Sequence, residues 1–156
     1  MAFKLKIQEK VFNLSVYKLL EKTNEDKVSA RSYSPLVLAY IGDGIYEIFI
    51  RDYIVKKANA PVNTLHKQTR EFVQAKAQAI MYNKLKDILT EEETAVLKRG
   101  RNAKSTSTPK NGNIHEYRLA TGVEALVGYL YLENRLERLG ELMEIGMSEI
   151  RGGNNG

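Results

Sequence analysis

The chain has 156 residues, 24 basic and 19 acidic, with no cysteine, no tryptophan and two histidines, His66 and His115. That length suits one domain able to bury its own core. The missing cysteines exclude a disulfide framework, a thiolate metal site and a cysteine nucleophile, and two histidines are too few for a histidine-built centre, so any bound metal must rest on carboxylates.

Apolar periodicity is helical throughout and strand-like alternation is short, so an all-α domain of about six or seven helices is expected. Residues 12–22 predict a short first helix inside an extension covering residues 1–33. Ser34 followed by Pro35 is an N-cap with proline at the first helical position, where its missing N–H is harmless. A long helix then runs to Lys56-Lys57, whose charges suit a helix C-terminus. Pro61 interrupts the chain, and residues 63–89 give one or two helices. Thr90 and Glu93 form a capping box for the next. A polar stretch, KSTSTPKNGN (Lys104–Asn113), reads as a surface loop. A helix follows from Ile114 to Asn134, then an amphipathic one from Leu136 to Ile150. Residues 152–156 read as a disordered tail.

A membrane-spanning helix needs about 20 mostly apolar residues. The longest apolar stretch, Leu36 to Ile50, carries Asp43 and Glu47. The start, MAFKLKIQEK, lacks the apolar block of a signal peptide. A cytoplasmic protein with no membrane partner is expected. Its net charge of +5 is concentrated in one window. Between Lys98 and Arg118, the residues Lys98, Arg99, Arg101, Lys104, Lys110 and Arg118 oppose only Glu116, a balance equal to the whole excess. Such a block points to a polyanion, most often nucleic acid.

Two acids sit on apolar helix faces. Asp43 lies between Gly42 and Gly44 in the most apolar helix, where each glycine costs about 1 kcal/mol relative to alanine. The pair of glycines implies that another backbone comes close or that a ligand needs room. Glu124 has Ala120, Thr121, Val127 and Gly128 as its neighbours three and four positions away. A desolvated carboxylate must be paired, hydrogen-bonded or bound to a metal. One reading is structural: Asp43 accepts from a helix N-terminus or a tyrosine, and Glu124 pairs with Arg118 or Arg135. The other is a site for Mg²⁺, or Mn²⁺ in its place, beside a phosphate-binding surface, the equipment for phosphodiester hydrolysis. Among lesser candidates, His66 and Lys67 could face a nucleic acid, and His115 is a bystander. Tyr46, Phe49, Tyr53, Tyr129 and Tyr131 belong to the core or a dimer interface. Glu47 either orients a metal-bound water or pairs with Arg51.

YIGDGIYE (Tyr40–Glu47) resembles the signature helix of ribonuclease III, and ATGVEALVGYLYLE (Ala120–Glu133) resembles that family's second motif. LKRGRNAKSTSTPKN (Leu97–Asn111) with Tyr117-Arg118 is similar to Mini-ribonuclease III, the short bacterial branch that lacks a double-stranded-RNA-binding domain. The resemblance implies a ribonuclease III-like catalytic domain over residues 34–151. Asp43 and Glu124 would be its catalytic, metal-binding pair, acting with Mg²⁺ on double-stranded RNA and leaving 5′-phosphate and 3′-hydroxyl ends. It further implies a homodimer that trims stems of precursor ribosomal RNA, notably the 23S precursor. The full-length enzymes carry two more acids, where this chain has Ala39 and Thr121. A single ion with several waters, or a second ion held by RNA, fits that thinning. Lys98, Arg99, Arg101, Lys104, Lys110 and Arg118 would neutralise phosphates, with His66 and Lys67 beside them. Asn102, Ser105, Thr106, Ser107 and Thr108 would contact sugars or phosphates without reading sequence. The alternative is a non-catalytic RNA-binding module on the same fold.

Overall fold

A computed structural model describes residues 29–104 and 112–154, and every regular element among them is helical. The helix expected over residues 12–22 lies outside the described residues, as does most of the polar loop. A 3₁₀ turn (Ala30–Ser32) precedes six α-helices: α1 (Pro35–Lys57), α2 (Val62–Val73), α3 (Ala75–Leu85), α4 (Glu91–Asn102), α5 (Ile114–Leu132) and α6 (Leu136–Asn154). The all-α expectation holds.

The local signals act where the sequence places them. The Val37 N–H donates to Ser34 Oγ at 3.3 Å, which caps α1 ahead of Pro35. The stretch 63–89 is two helices, because Gln74 is extended (φ −63°, ψ 150°) between α2 and α3. The capping box of α4 is complete: Glu93 N–H donates to Thr90 Oγ1 at 3.2 Å, and Thr90 N–H to Glu93 Oε1 at 3.0 Å. Asn113 Oδ1 caps α5 by accepting from the His115 and Glu116 N–H groups. Between α5 and α6, Asn134 takes φ 60°. The Asn134 and Arg135 N–H groups then donate to the Tyr131 and Leu130 carbonyls, a Schellman closure.

Two expected boundaries move. The last helix continues through residues 152–154 to Asn154, so the disordered tail expected from residue 152 does not begin there. Its final turn is anchored by Arg151, which donates to the Tyr53 hydroxyl and lies 5.1 Å over that ring. At the other end, packing begins ahead of Ser34. Ala30 is buried in the core and Arg31 pairs with Glu92 at 2.7 Å.

Helix α5 is the centre of the fold. Eleven of its residues between Leu119 and Tyr131 are buried, so it is enclosed on nearly every side. Helix α1 crosses it in the opposite direction, and two glycines set the separation. A β-carbon at Gly42 would overlap the Glu124 carbonyl oxygen and stand 2.7 Å from its carbonyl carbon. One at Gly128 would overlap the Leu38 carbonyl oxygen and stand 2.9 Å from that carbon. Gly100 and Gly122 do the same for α4 on α5. Tyr46, fully buried, ties α1 to the end of α2 by donating to the Phe72 carbonyl at 2.6 Å. Arg138 of α6 grips the buried Glu93 of α4 through both carboxylate oxygens, at 2.8 and 3.0 Å.

Gly42→Ala therefore forces backbone apart and is expected to cost about 3 kcal/mol or more. Gly152→Ala meets nothing within 4 Å and should be neutral or up to about 1 kcal/mol more stable than the parent. Urea unfolding of both variants checks this, and equal stabilities would contradict the close crossing.

Candidate active site

Because the α1 backbone at Gly42 rests on the α5 backbone at Glu124, the next residue, Asp43, is delivered beside Glu124. Their charges act on each other. Glu124 is half-buried, and its carboxyl is pushed up to about 7, chiefly by desolvation and then by the charge of Asp43. The Gln78 amide opposes this only in part, donating to Glu124 Oε1 at 3.2 Å. Asp43 is raised too, by partial desolvation and by Glu47. It is nevertheless exposed, which corrects the expectation of two desolvated acids. Its helical neighbour Tyr40 stands 84% exposed, and Gly44 has no atom within 4 Å of where a side chain would begin. That side of α1 is open.

The arginines expected as structural partners of Glu124 are elsewhere among the described residues. Among the described residues no lysine or arginine forms an ion pair with Asp43 or Glu124. Arg135 pairs instead with Glu92 at 3.6 Å, and Arg118 is exposed. The nearby tyrosine, Tyr46, donates to Phe72, and Glu124 adds to the burial that raises its hydroxyl pKa. Glu47 pairs with Arg51 at 2.8 Å. Glu93 shows what a structural buried glutamate looks like here. Burial alone would raise its pKa, yet the Arg138 guanidinium and the Thr90 backbone hold it below the ordinary value. Glu124 has a like charge where Glu93 has a guanidinium.

Two converging carboxylates without a cation partner suit a hard divalent ion. No third Asp, Glu or His joins them in a cluster among the described residues. An ion held by this pair must keep several waters or take further oxygens from a substrate.

The basic residues divide into two sides. Arg101 is half-buried and held by Tyr82, to whose hydroxyl Nη1 donates at 3.1 Å. Tyr82 lies one helical turn beyond Gln78 on α3, so Arg101 is tied to the helix that carries Gln78. Lys98, three residues before Arg101, shares its face of α4, and Asn102 and Lys104 are exposed nearby. Arg99 lies on another side, where it lines a hollow with Arg31, Glu92 and Tyr129. The structure does not bring it to the acids. Arg118 projects from the first turns of α5. His66 and Lys67 are exposed on α2. Ser105, Thr106, Ser107, Thr108 and Lys110 lie outside the described residues. The residue that sequence reasoning missed is Gln78. Its signal was a lone polar side chain beside Ala75, Met81 and Tyr82 on a helix face, which must find a partner when buried.

This helical fold, with its two facing acids, is that of the ribonuclease III domain, and residues 36–135 match the Ribonuclease III domain family. The chain is 50% identical to the Mini-ribonuclease 3 of a Thermoanaerobacter species, over 80% of this chain and 87% of that one. It is 52% identical to the Mini-ribonuclease 3 of Clostridium tetani, over 76% and 80%. A Fusobacterium nucleatum protein of known crystal structure superposes with a TM-score of 0.70 at 34% identity, covering 79% of this chain and 98% of that one. The chain belongs to the Mini-ribonuclease 3 family, and its activity class is that of a ribonuclease III-type endoribonuclease.

The raised Glu124 pKa has a consequence for stability. Between the unfolded value of 4.5 and the folded value of about 7 the native state holds more protons. Stability therefore falls as pH rises through that window. Glu124→Gln removes the charge and keeps the shape. In EDTA at about pH 8 it should be more stable than the parent by about 2–3 kcal/mol, and near pH 4 the two should coincide. Denaturant titrations at both pH values check this; a variant less stable at the higher pH would contradict it.

Proposed function

We propose that the chain hydrolyses phosphodiester bonds of double-stranded RNA with Mg²⁺, held by Asp43 and Glu124, leaving 5′-phosphate and 3′-hydroxyl ends. The observation that carries this reading is the pair of acids at the α1–α5 crossing, which have no lysine or arginine partner among the described residues. When bound, the ion supplies Lewis-acid polarisation of the phosphate and activation of a water; Mn²⁺ would serve in its place. The exposed Asp43 is the acid a duplex meets, with Glu124 set behind it.

Lys98 and Arg101 neutralise phosphates of an A-form duplex, which is recognised by shape. Tyr82 limits the freedom of Arg101, so less side-chain entropy is lost on contact. Lys104, Lys110, Arg118, His66 and Lys67 extend this surface, and Asn102, Ser105 and Thr106 reach sugars and phosphates. Arg99 is its weakest member, because it faces the Glu92 hollow. Substrates are stems of precursor ribosomal RNA, the 23S precursor first among them, in the cytoplasm.

The working unit is a homodimer. Val37, Tyr40, Gly44 and Ile48 follow one another at helical spacing on α1, all of them exposed. A glycine inside a helix costs about 1 kcal/mol, and nothing in the subunit requires Gly44. The close approach of a second copy along this stripe would account for it.

Incubating the protein with a labelled RNA duplex tests the reading. Cleavage should require Mg²⁺, stop in EDTA, and fall by at least about 100-fold in Asp43→Asn. Equal cleavage by the variant, or none by the parent, would leave the non-catalytic RNA-binding module. Replacing Lys98 and Arg101 together by glutamine should weaken duplex binding and flatten the slope of log K against log salt by about 2. Cleavage lost with binding intact would contradict their assignment to phosphates.

A further inference from the structure

Gln78 is 3% exposed and lies on α3, between the helix break at Gln74 and the core. Its amide nitrogen makes two hydrogen bonds, to the Val73 carbonyl at 2.9 Å and to Glu124 Oε1 at 3.2 Å. Two acceptors leave the amide no freedom to flip, since its oxygen would then face two oxygens. Among the described residues the side-chain oxygen of Gln78 finds no hydrogen-bond partner. A buried amide with an unmet acceptor is unfavourable. An apolar residue would avoid that cost but would leave the Val73 carbonyl and Glu124 Oε1 without their donor, so the amide is there for these two acceptors.

We propose that Gln78 is a positioning residue, which fixes the Glu124 carboxylate through Oε1 and leaves Oε2 to face Asp43 and a divalent ion. This rests on the reading of Asp43 and Glu124 as the ion's ligands. The chemistry of the donor explains its type. A lysine or arginine here would neutralise the carboxylate and stand where the ion belongs, as Arg138 does for Glu93. A neutral N–H donor orients the acid and leaves its charge for the ion. The anchor on the Val73 carbonyl makes the arrangement rigid. Val73 is the last residue of α2 and Gln78 follows the break, so the α2–α3 joint is bolted to α5 through this one amide.

The test is Gln78→Met, which is unbranched, of similar length, and removes both the donor and the unmet acceptor. The full chain should keep its helical circular dichroism, with a melting temperature lowered by the two acceptors left without this donor. Cleavage of an RNA duplex should lose kcat by about 10–100-fold, with KM for the duplex unchanged and with a higher Mg²⁺ requirement. Without RNA, Mn²⁺ binding followed by electron paramagnetic resonance should weaken by a similar factor. Parent-like kcat and Mn²⁺ affinity would overturn the proposal while leaving the acid pair intact. If the parent itself neither binds Mn²⁺ nor cleaves, the acid-pair reading falls, and Gln78 with it. Should the variant fail to fold, the Gln78 side-chain amide resonances of the unaltered chain decide. They should shift on Mg²⁺ addition in the parent and stay still in Glu124→Gln; an unmoved parent signal overturns the proposal.

Discussion

At the crossing of α1 on α5, the space where any other residue at position 42 would carry its β-carbon is filled by the carbonyl of Glu124. Backbone meets backbone, and a second glycine at 128 repeats the contact one turn along. Helix pairs usually stand 8–10 Å apart because side chains separate them. Removing the side chains at the contact brings the axes closer, and it sets neighbouring residues at a defined offset. Asp43 follows Gly42 directly, and Glu124 is the residue being touched. The charge of Asp43 reaches Glu124 because the helices that carry them meet at glycine.

That meeting is unfavourable for the isolated protein. Glu124 is desolvated, faces a like charge and has one neutral donor. The same chain shows that it can bury a glutamate well: Glu93 has a bidentate arginine and a backbone N–H. A fold that satisfies one buried acid fully and leaves another raised to about 7 has placed its instability at a particular spot. Perturbed carboxylates of this kind gather at functional sites, where stability is given up for chemistry. Arg101 keeps to Tyr82, and Arg135 pairs with Glu92. Among the described residues no lysine or arginine forms an ion pair with either acid of the Asp43–Glu124 pair.

Much of this was readable from residues close together in the chain. Ser34 with Pro35, Thr90 with Glu93, and the long apolar run of α1 are local signals, and each appears as a cap or a helix in the structure. Gly42 and Gly44 flanking an acid announced either a close backbone or room for a ligand, and the structure separates the two: Gly42 touches backbone, Gly44 touches nothing. What could not be read depends on partners far along the chain. Gln78 meets Glu124 46 positions away, Arg138 meets Glu93 45 away, and Arg151 meets Tyr53 98 away. Periodicity shows that a residue faces inward and is silent on what it faces. For the same reason Arg99 and Arg101 looked equivalent as neighbours in a basic run. Two positions along a helix turn a side chain through about 200°, and the two face different surroundings.

The most direct measurement is anomalous diffraction from a crystal of the protein soaked in Mn²⁺, beside an identically treated crystal of Glu124→Gln. The account predicts one strong anomalous peak within coordination distance of Asp43 and Glu124 in the parent, about 2.0–2.2 Å from carboxylate oxygens by the geometry of small hard divalent ions. That peak should be lost in the variant. A parent crystal with manganese bound elsewhere, or with the two carboxylates turned apart and no peak between them, would contradict it.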